Sequence, residues 1–166
     1  MPEHNRDELR DWLALSMVEG IGRRTAASLI DRFQSPSACL DASRSILESQ
    51  DLKSETIDAL KSDEVRQRAS RELEELAKLG AEALVLSDPR YPALLRETYD
   101  PPIVLYCKGD IGKALSRPAV SVVGSRRCST YGRNAAEMLA RDLAEHGVTV
   151  ISGLARGIDT AAHKGA

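Results

Sequence analysis

Two short loops in the last third of the chain carry residues suited to binding an anion. Each loop combines glycine, which lets the backbone turn sharply, with serine and arginine. The guanidinium group of arginine is planar and can bind two oxygens of one phosphate. The candidate phosphate-binding residues are Gly124, Ser125, Arg126 and Arg127 in the first loop, and Ser152, Gly153 and Arg156 in the second loop. Tyr131, just after the first loop, could stack on a base or pack its helix onto that loop.

The segments around these loops predict that the loops lie side by side. Residues 119–123 and 148–151 are rich in valine and isoleucine and read as strands, the first of them buried on both faces. Residues 130–146 and 156–165 read as helices. Alternating strands and helices with short connections predict a parallel sheet. Because strand-to-helix loops of a parallel sheet leave the same edge, we expect one crevice lined by arginines and by two helix N-termini.

The charge distribution favours a focused anion site over a general polycation. The chain of 166 residues has a formal net charge of −2. Residues 117–166 hold seven Arg and Lys but four Asp and Glu, a net charge of +3, which leaves −5 for residues 1–116. The spacing alone also allows a purely structural interpretation, in which the glycines turn the chain and the arginines are solvated.

Several other kinds of site are not expected. The first loop is neither a GxGxxG nor a Walker A sequence, and no acidic residue ends the second strand, so no dinucleotide cofactor is predicted. The three cysteines are far apart and form no CxxC pair, so neither a metal site nor a disulfide is predicted. No apolar run approaches the length of a membrane span and no signal peptide is apparent, so we expect a soluble cytoplasmic protein.

A catalytic role is not predicted for the polar residues near the loops. Ser125 and Ser152 lie next to glycines but outside a GxSxG motif. Asp159 and His163 are four residues apart and could form an acid–base pair. We expect instead that Asp159 caps its helix or orients the arginine loop, and that His163 packs against the sheet.

The order of motifs in the C-terminal part closely resembles the DprA/Smf family, the DNA-processing protein A family. The resemblance rests on the sequences Val-Val-Gly-Ser-Arg at 122–126, Ser-Thr-Tyr-Gly at 129–132, Val-Ile-Ser-Gly-Leu-Ala-Arg-Gly-Ile-Asp at 150–159, and Ala-His at 162–163. It implies a Rossmann-like domain that protects single-stranded DNA during natural transformation and loads RecA onto it, with no established catalytic activity. Carried over, Gly124, Ser125 and Arg126 are the main DNA contacts. Ser152, Gly153 and Arg156 form the second wall.

Residues 6–79 are predicted to be almost entirely helical, with a hairpin near their start. Gly20, Ile21 and Gly22 form the turn of a helix-hairpin-helix, followed by Arg23 and Arg24. Such hairpins can bind DNA phosphates through backbone N–H groups, which would make the two glycines and the two arginines a secondary DNA contact. The same hairpin also occurs as a packing element in SAM-like domains. The acidic surroundings favour a structural or protein-interaction role.

These patterns together predict an α/β chain in three parts. Residues 1–80 form a helical SAM-like domain, residues 81–116 a strand-containing bridge, and residues 117–166 the first half of a Rossmann-like DNA-binding domain. The family's domain continues past the Ala-His segment and carries a dimerisation surface, so we expect this chain to end within it and to leave apolar surface exposed. Two other functions stay open: a nucleotide-binding hydrolase of a related fold, and a protein-interaction module formed by the helical domain.

Overall fold

The computed structural model describes the backbone of residues 3–166 and the side chains of residues 6–112 and 114–166. The chain is a mixed α/β protein and divides into two compact units, Met1–Gly109 and Asp110–Ala166. In the described residues, no helix is both long and apolar enough to cross a membrane.

The first unit is a helical bundle with a small β-ribbon. Its core is aliphatic, built around fully buried leucines and Ile57. Helix ends follow local sequence signals: Ser35 accepts a hydrogen bond from the N–H of Ala38, and Gly80 ends the last long helix in a left-handed conformation. The helices are α1 (Glu3–Ser16), α2 (Arg23–Phe33), α3 (Pro36–Asp41), α4 (Arg44–Glu48), α5 (Ser54–Lys61), α6 (Asp63–Leu79) and α7 (Ala93–Arg96).

The β-ribbon of the first unit consists of β1 (Ala81–Val85) and β2 (Val104–Lys108), which pair antiparallel. The side chains of Ala83, Val85 and Ile103 join the helical core, so the ribbon is an integral part of this unit. Residues 81–116 were interpreted as a bridge. In the structure, the part up to Gly109 belongs to the first unit and the remainder to the second. Domain boundaries at residues 80 and 116 stay a prediction.

The second unit contains the expected strand–helix–strand–helix order. Its elements are α8 (Ile111–Leu115), β3 (Ala119–Ser121), α9 (Thr130–Glu145), β4 (Thr149–Ile151) and α10 (Ile158–Gly165). The strands β3 and β4 pair in parallel, with Ala119 opposite Thr149 and Ser121 opposite Ile151, as the pattern predicted. Helix α10 packs closely against α9: a Cβ on Gly165 would overlap the carbonyl of Glu137.

The first strand of this unit was predicted to be buried on both faces, and that prediction is wrong. All three residues of β3 are exposed, as is Val123, and only Val122 is buried. A strand buried on both faces needs strands on either side and helices above and below, whereas the sheet described here has two strands. The expected exposure of apolar surface is confirmed by Val120, Met138, Leu139 and Ile151.

Candidate nucleic-acid interface

The two predicted loops are in direct contact. The backbone N–H of Ile158 donates a hydrogen bond to the carbonyl oxygen of Ser125 at 3.2 Å. Two glycines permit this approach, one from each side. A Cβ on Gly124 would lie 2.7 Å from Cγ1 of Ile158, and a Cβ on Gly157, which has φ of +88°, would overlap the carbonyl oxygen of Ser125. The parallel βαβα arrangement therefore brings both loops to one edge, as expected.

Serine side chains shape the first loop and the helix that follows it. The hydroxyl of Ser125 accepts a hydrogen bond from the N–H of Arg127 at 3.1 Å, which stabilises the turn. The hydroxyl of Ser129 caps α9 by accepting from the N–H of Gly132 at 3.1 Å. The loop thus delivers Arg126 and Arg127 directly before the positive end of a helix of 16 residues.

The second loop is fixed by two hydrogen bonds that reach out of it. The hydroxyl of Ser152 donates to the carbonyl of Val122 at 2.8 Å, which joins the ends of the two strands. The N–H of Gly153 donates to Oδ2 of Asp159 at 3.1 Å, and Asp159 is only 6% exposed. The expectation that Asp159 orients the loop is confirmed. The N–H of Gly153 is therefore engaged within the protein.

His163 does not lie where the sequence predicted. Its side chain is exposed, while Asp159 on the same helix is buried. The helix turns Ala161 and Ala162 inward instead, because these small side chains allow the close packing of α10 against α9. Within the described part of the chain, no hydrogen bond joins these two side chains, and Asp159 is bonded to Gly153 instead. Among the described residues, no group of three or more His, Cys, Asp and Glu could hold a metal ion.

The arginines of the two loops are available to bind an anion. Arg126, Arg127 and Arg156 are exposed, and within the described part of the chain none of them forms an ion pair. Five of the eleven arginines of the first unit do form ion pairs: Arg10, Arg23, Arg44, Arg66 and Arg90. The two loops therefore present guanidinium groups that are not paired with a carboxylate of the described residues.

Apolar side chains stand out into solvent beside these arginines. Tyr131, in the first turn of α9, is 81% exposed, so it does not pack its helix onto the loop. Val123 is 71% exposed and Leu154 is 78% exposed. Exposed apolar groups next to cationic groups suit a ligand that has both anionic and flat apolar parts.

The hairpin of the first unit has its arginines engaged within the protein. The guanidinium of Arg23 lies 3.0 Å from a carboxylate oxygen of Asp100, and that of Arg24 lies 5.5 Å from the ring centre of Tyr99. Gly20 packs against Thr56, and Gly22 precedes α2 as its N-cap. The side chain of Ile21 is buried in the core of the first unit.

Two residues of the crevice were not among the predicted site residues. Gly157 makes the contact between loops possible and lies directly before α10, whereas the sequence predicted that this helix begins at residue 156. Leu154 has a positive φ of 56°, a conformation that bulky residues rarely adopt. No sequence pattern predicts a leucine there.

Comparison with known proteins identifies the class to which this fold and crevice belong. The family model described as DNA recombination-mediator protein A matches residues 82–166. The chain belongs to this family, in agreement with the resemblance seen in its motifs. The matched region includes both loops.

Individual relatives support the assignment. DNA processing protein DprA of Streptococcus pneumoniae is 47% identical over 79 residues, which cover 48% of this chain and 27% of that protein. Protein Smf of Synechocystis is 31% identical over 156 residues, covering 92% and 39%. The crystal structure of the pneumococcal DprA has a TM-score of 0.57 at 26% identity, covering 99% of this chain and 54% of the other. The chain thus spans about a quarter to a half of these proteins.

Proposed function

We propose that this chain binds single-stranded DNA, without reading its sequence, in the crevice between residues 124–130 and 152–157. The observation that carries the proposal is the contact between Ile158 and Ser125, which joins two loops bearing exposed arginines with no ion-pair partner in the described residues. Charged hydrogen bonds from arginine to phosphate are stronger than neutral ones. They read no bases, because every nucleotide carries the same phosphate.

The roles within this site follow from the contacts of each residue. Arg126, Arg127 and Arg156 bind phosphate oxygens, and the turn at Gly124 and Ser125 presents the first two of them. Ser152 and Gly153 form the second wall, where their hydrogen bonds to Val122 and Asp159 hold the backbone in place. Tyr131, which is exposed beside the first loop, stacks on a base.

The wider role that we infer is that of the family. The relatives are named DNA processing proteins, and the matching model describes a recombination mediator. We infer a cytoplasmic protein that supports homologous recombination in natural transformation by loading RecA, has no catalytic activity of its own, and dimerises in its full-length form. The first unit would be a SAM-like domain, and the second the first half of a Rossmann-like domain.

The hairpin is assigned a structural role in this proposal. DNA contact by Gly20, Gly22, Arg23 and Arg24 stays a prediction. The ion pair with Asp100 and the stacking of Arg24 on Tyr99 favour a packing function, because both arginines would have to give up these contacts to reach a phosphate.

Fluorescence anisotropy with a labelled single-stranded oligonucleotide tests the proposal. Arg126→Ala should weaken binding by about 1–3 kcal/mol, which is the loss expected for a charged hydrogen bond to phosphate. The matched control is Arg141→Ala, because Arg141 lies on α9 and is paired with Glu137 at 3.5 Å. This control should bind as the parent does. Equal affinities of the parent and Arg126→Ala, with no dependence on salt, would refute the proposal.

A further inference from the structure

Leu154 has two properties that do not stabilise the folded chain. Its side chain is 78% exposed, and its backbone has φ of 56°. In the left-handed region the Cβ of a leucine crowds the backbone, and glycine or asparagine fits there at lower cost. An exposed leucine buries too little apolar surface to offset that cost. Strain of this kind persists where the surrounding structure imposes it, and it collects at binding sites.

The surroundings of Leu154 impose this conformation. Immediately before it, the N–H of Gly153 is held by Asp159. Immediately after it, the carbonyl of Ala155 accepts a hydrogen bond from the hydroxyl of Thr160 at 2.7 Å. Both anchors belong to α10. The leucine is therefore clamped between two fixed residues and projected into solvent, two positions before Arg156.

We propose that Leu154 packs against the bases of a bound strand and so makes the crevice select unpaired nucleic acid. This inference rests on the proposed function, since it assigns the base-contacting part of the same site. Arg126, Arg127 and Arg156 neutralise the phosphates, while the exposed side chains of Leu154, Val123 and Tyr131 offer the bases an apolar surface. The charge next to this surface points to a nucleic acid and not to an apolar protein partner.

Selection against a duplex follows from where the bases lie. In a double helix the faces of the bases are stacked on each other and cannot meet a side chain at the protein surface. In a single strand the base faces are accessible, and apolar contact with them adds to the phosphate contacts. A site with arginines alone would bind both forms through their phosphates.

The experiment compares two labelled oligomers of about 20 nucleotides, one of thymidylate and one with the same sugar-phosphate backbone but without bases. The parent chain should bind the thymidylate oligomer about fivefold to tenfold more tightly. Leu154→Asn and Leu154→Gly should reduce this preference and leave the affinity for the abasic oligomer unchanged, while the remainder of the preference comes from Val123 and Tyr131. Both variants suit a positive φ, so neither should lower the thermal stability of the chain.

The matched control is Leu94→Asn. Leu94 is 84% exposed and lies in the first unit, so this variant makes the same chemical change on a leucine of similar exposure. It should keep the preference for the thymidylate oligomer. Equal binding of both oligomers by the parent would overturn the inference and leave phosphate binding intact. The same conclusion would follow if both Leu154 variants kept the parent's full preference for the thymidylate oligomer. Failure of the parent to bind either oligomer would overturn the proposed function together with this inference.

Discussion

Asp159 holds the backbone N–H of Gly153 from the first turn of the following helix, at 3.1 Å and almost out of contact with solvent. One wall of the crevice therefore depends on a carboxylate that contributes negative charge to a site assigned to anions. Its hydrogen bond fixes the loop that carries Arg156, so the carboxylate acts on this site through the position of the backbone.

Replacing Asp159 separates its hydrogen bond from its charge. Asp159→Ala leaves the N–H of Gly153 without its acceptor and should lower the free energy of unfolding by about 1–3 kcal/mol. Asp159→Asn keeps an acceptor oxygen and should lose less. Urea unfolding followed by circular dichroism measures both. If Asn is as damaging as Ala, the charge and not the hydrogen bond stabilises the loop.

Gly157 permits the close approach of the two loops. Comparison with Gly147 separates the cost of steric overlap at Gly157 from the cost of a positive φ. Gly157→Ala combines an unfavourable φ of +88° with overlap on the carbonyl of Ser125, and should lower the free energy of unfolding by about 3 kcal/mol. Gly147 has φ of +75° with open space around it, so Gly147→Ala should cost only about 1 kcal/mol. Thermal unfolding of both variants provides the comparison. Equal losses would show that the contact with Ser125 contributes nothing.

Salt dependence distinguishes the crevice from the hairpin as a source of phosphate contacts. For single strands, the logarithm of the binding constant changes with the logarithm of salt concentration by about −0.7 for each phosphate neutralised. Arg126→Ala should make this slope less steep by about 0.7. The double variant Arg23→Ala with Arg24→Ala should keep the parent's slope, since both side chains are engaged with Asp100 and Tyr99. A reduced slope in the double variant would assign DNA binding to the hairpin as well.

A pH effect on stability is expected from the connection that follows β1 in the first unit. Hydrogen bonds from the side chain of Arg90 hold the pKa of Asp88 below its ordinary value of 3.8. A carboxyl whose pKa is lowered by folding stabilises the folded chain above its unfolded pKa, and loses that contribution as pH falls through the folded value. The melting temperature of Asp88→Asn should therefore lie below that of the parent above about pH 5.

The same measurement in acid supplies the internal control for Asp88. As pH falls below 3.8 and the carboxyl becomes protonated, the two melting temperatures should converge. A difference that stays constant from neutral to acidic pH would mean that the ion pair with Arg90 does not cause it.

The sequence predicted that the two loops meet better than it predicted the contacts of individual side chains. Strand and helix patterns are local, and they implied that the loops after β3 and β4 meet at one edge. The partners of Arg23 and Arg24 lie about 75 residues further along the chain, at Asp100 and Tyr99, and no local pattern indicates such contacts. The conformation of Leu154 was also unforeseen, because leucine has no intrinsic preference for a positive φ.

The exposure of β3 has a different cause. The run of β-branched residues correctly predicted a strand, but burial depends on what covers the strand and not on its own composition. The two-stranded sheet leaves these residues exposed, although their sequence is typical of a sheet interior.

The hydrogen bonds that join the two loops, and the one that holds the second loop to α10, begin and end between Val122 and Asp159. The entropy lost on closing a chain segment grows slowly with length, by about 0.6 kcal/mol for each doubling. Closing the crevice within fewer than forty consecutive residues is therefore only slightly less costly than closing it over twice that length. Its advantage is of another kind: every residue that makes these bonds is available once this one segment has been synthesised.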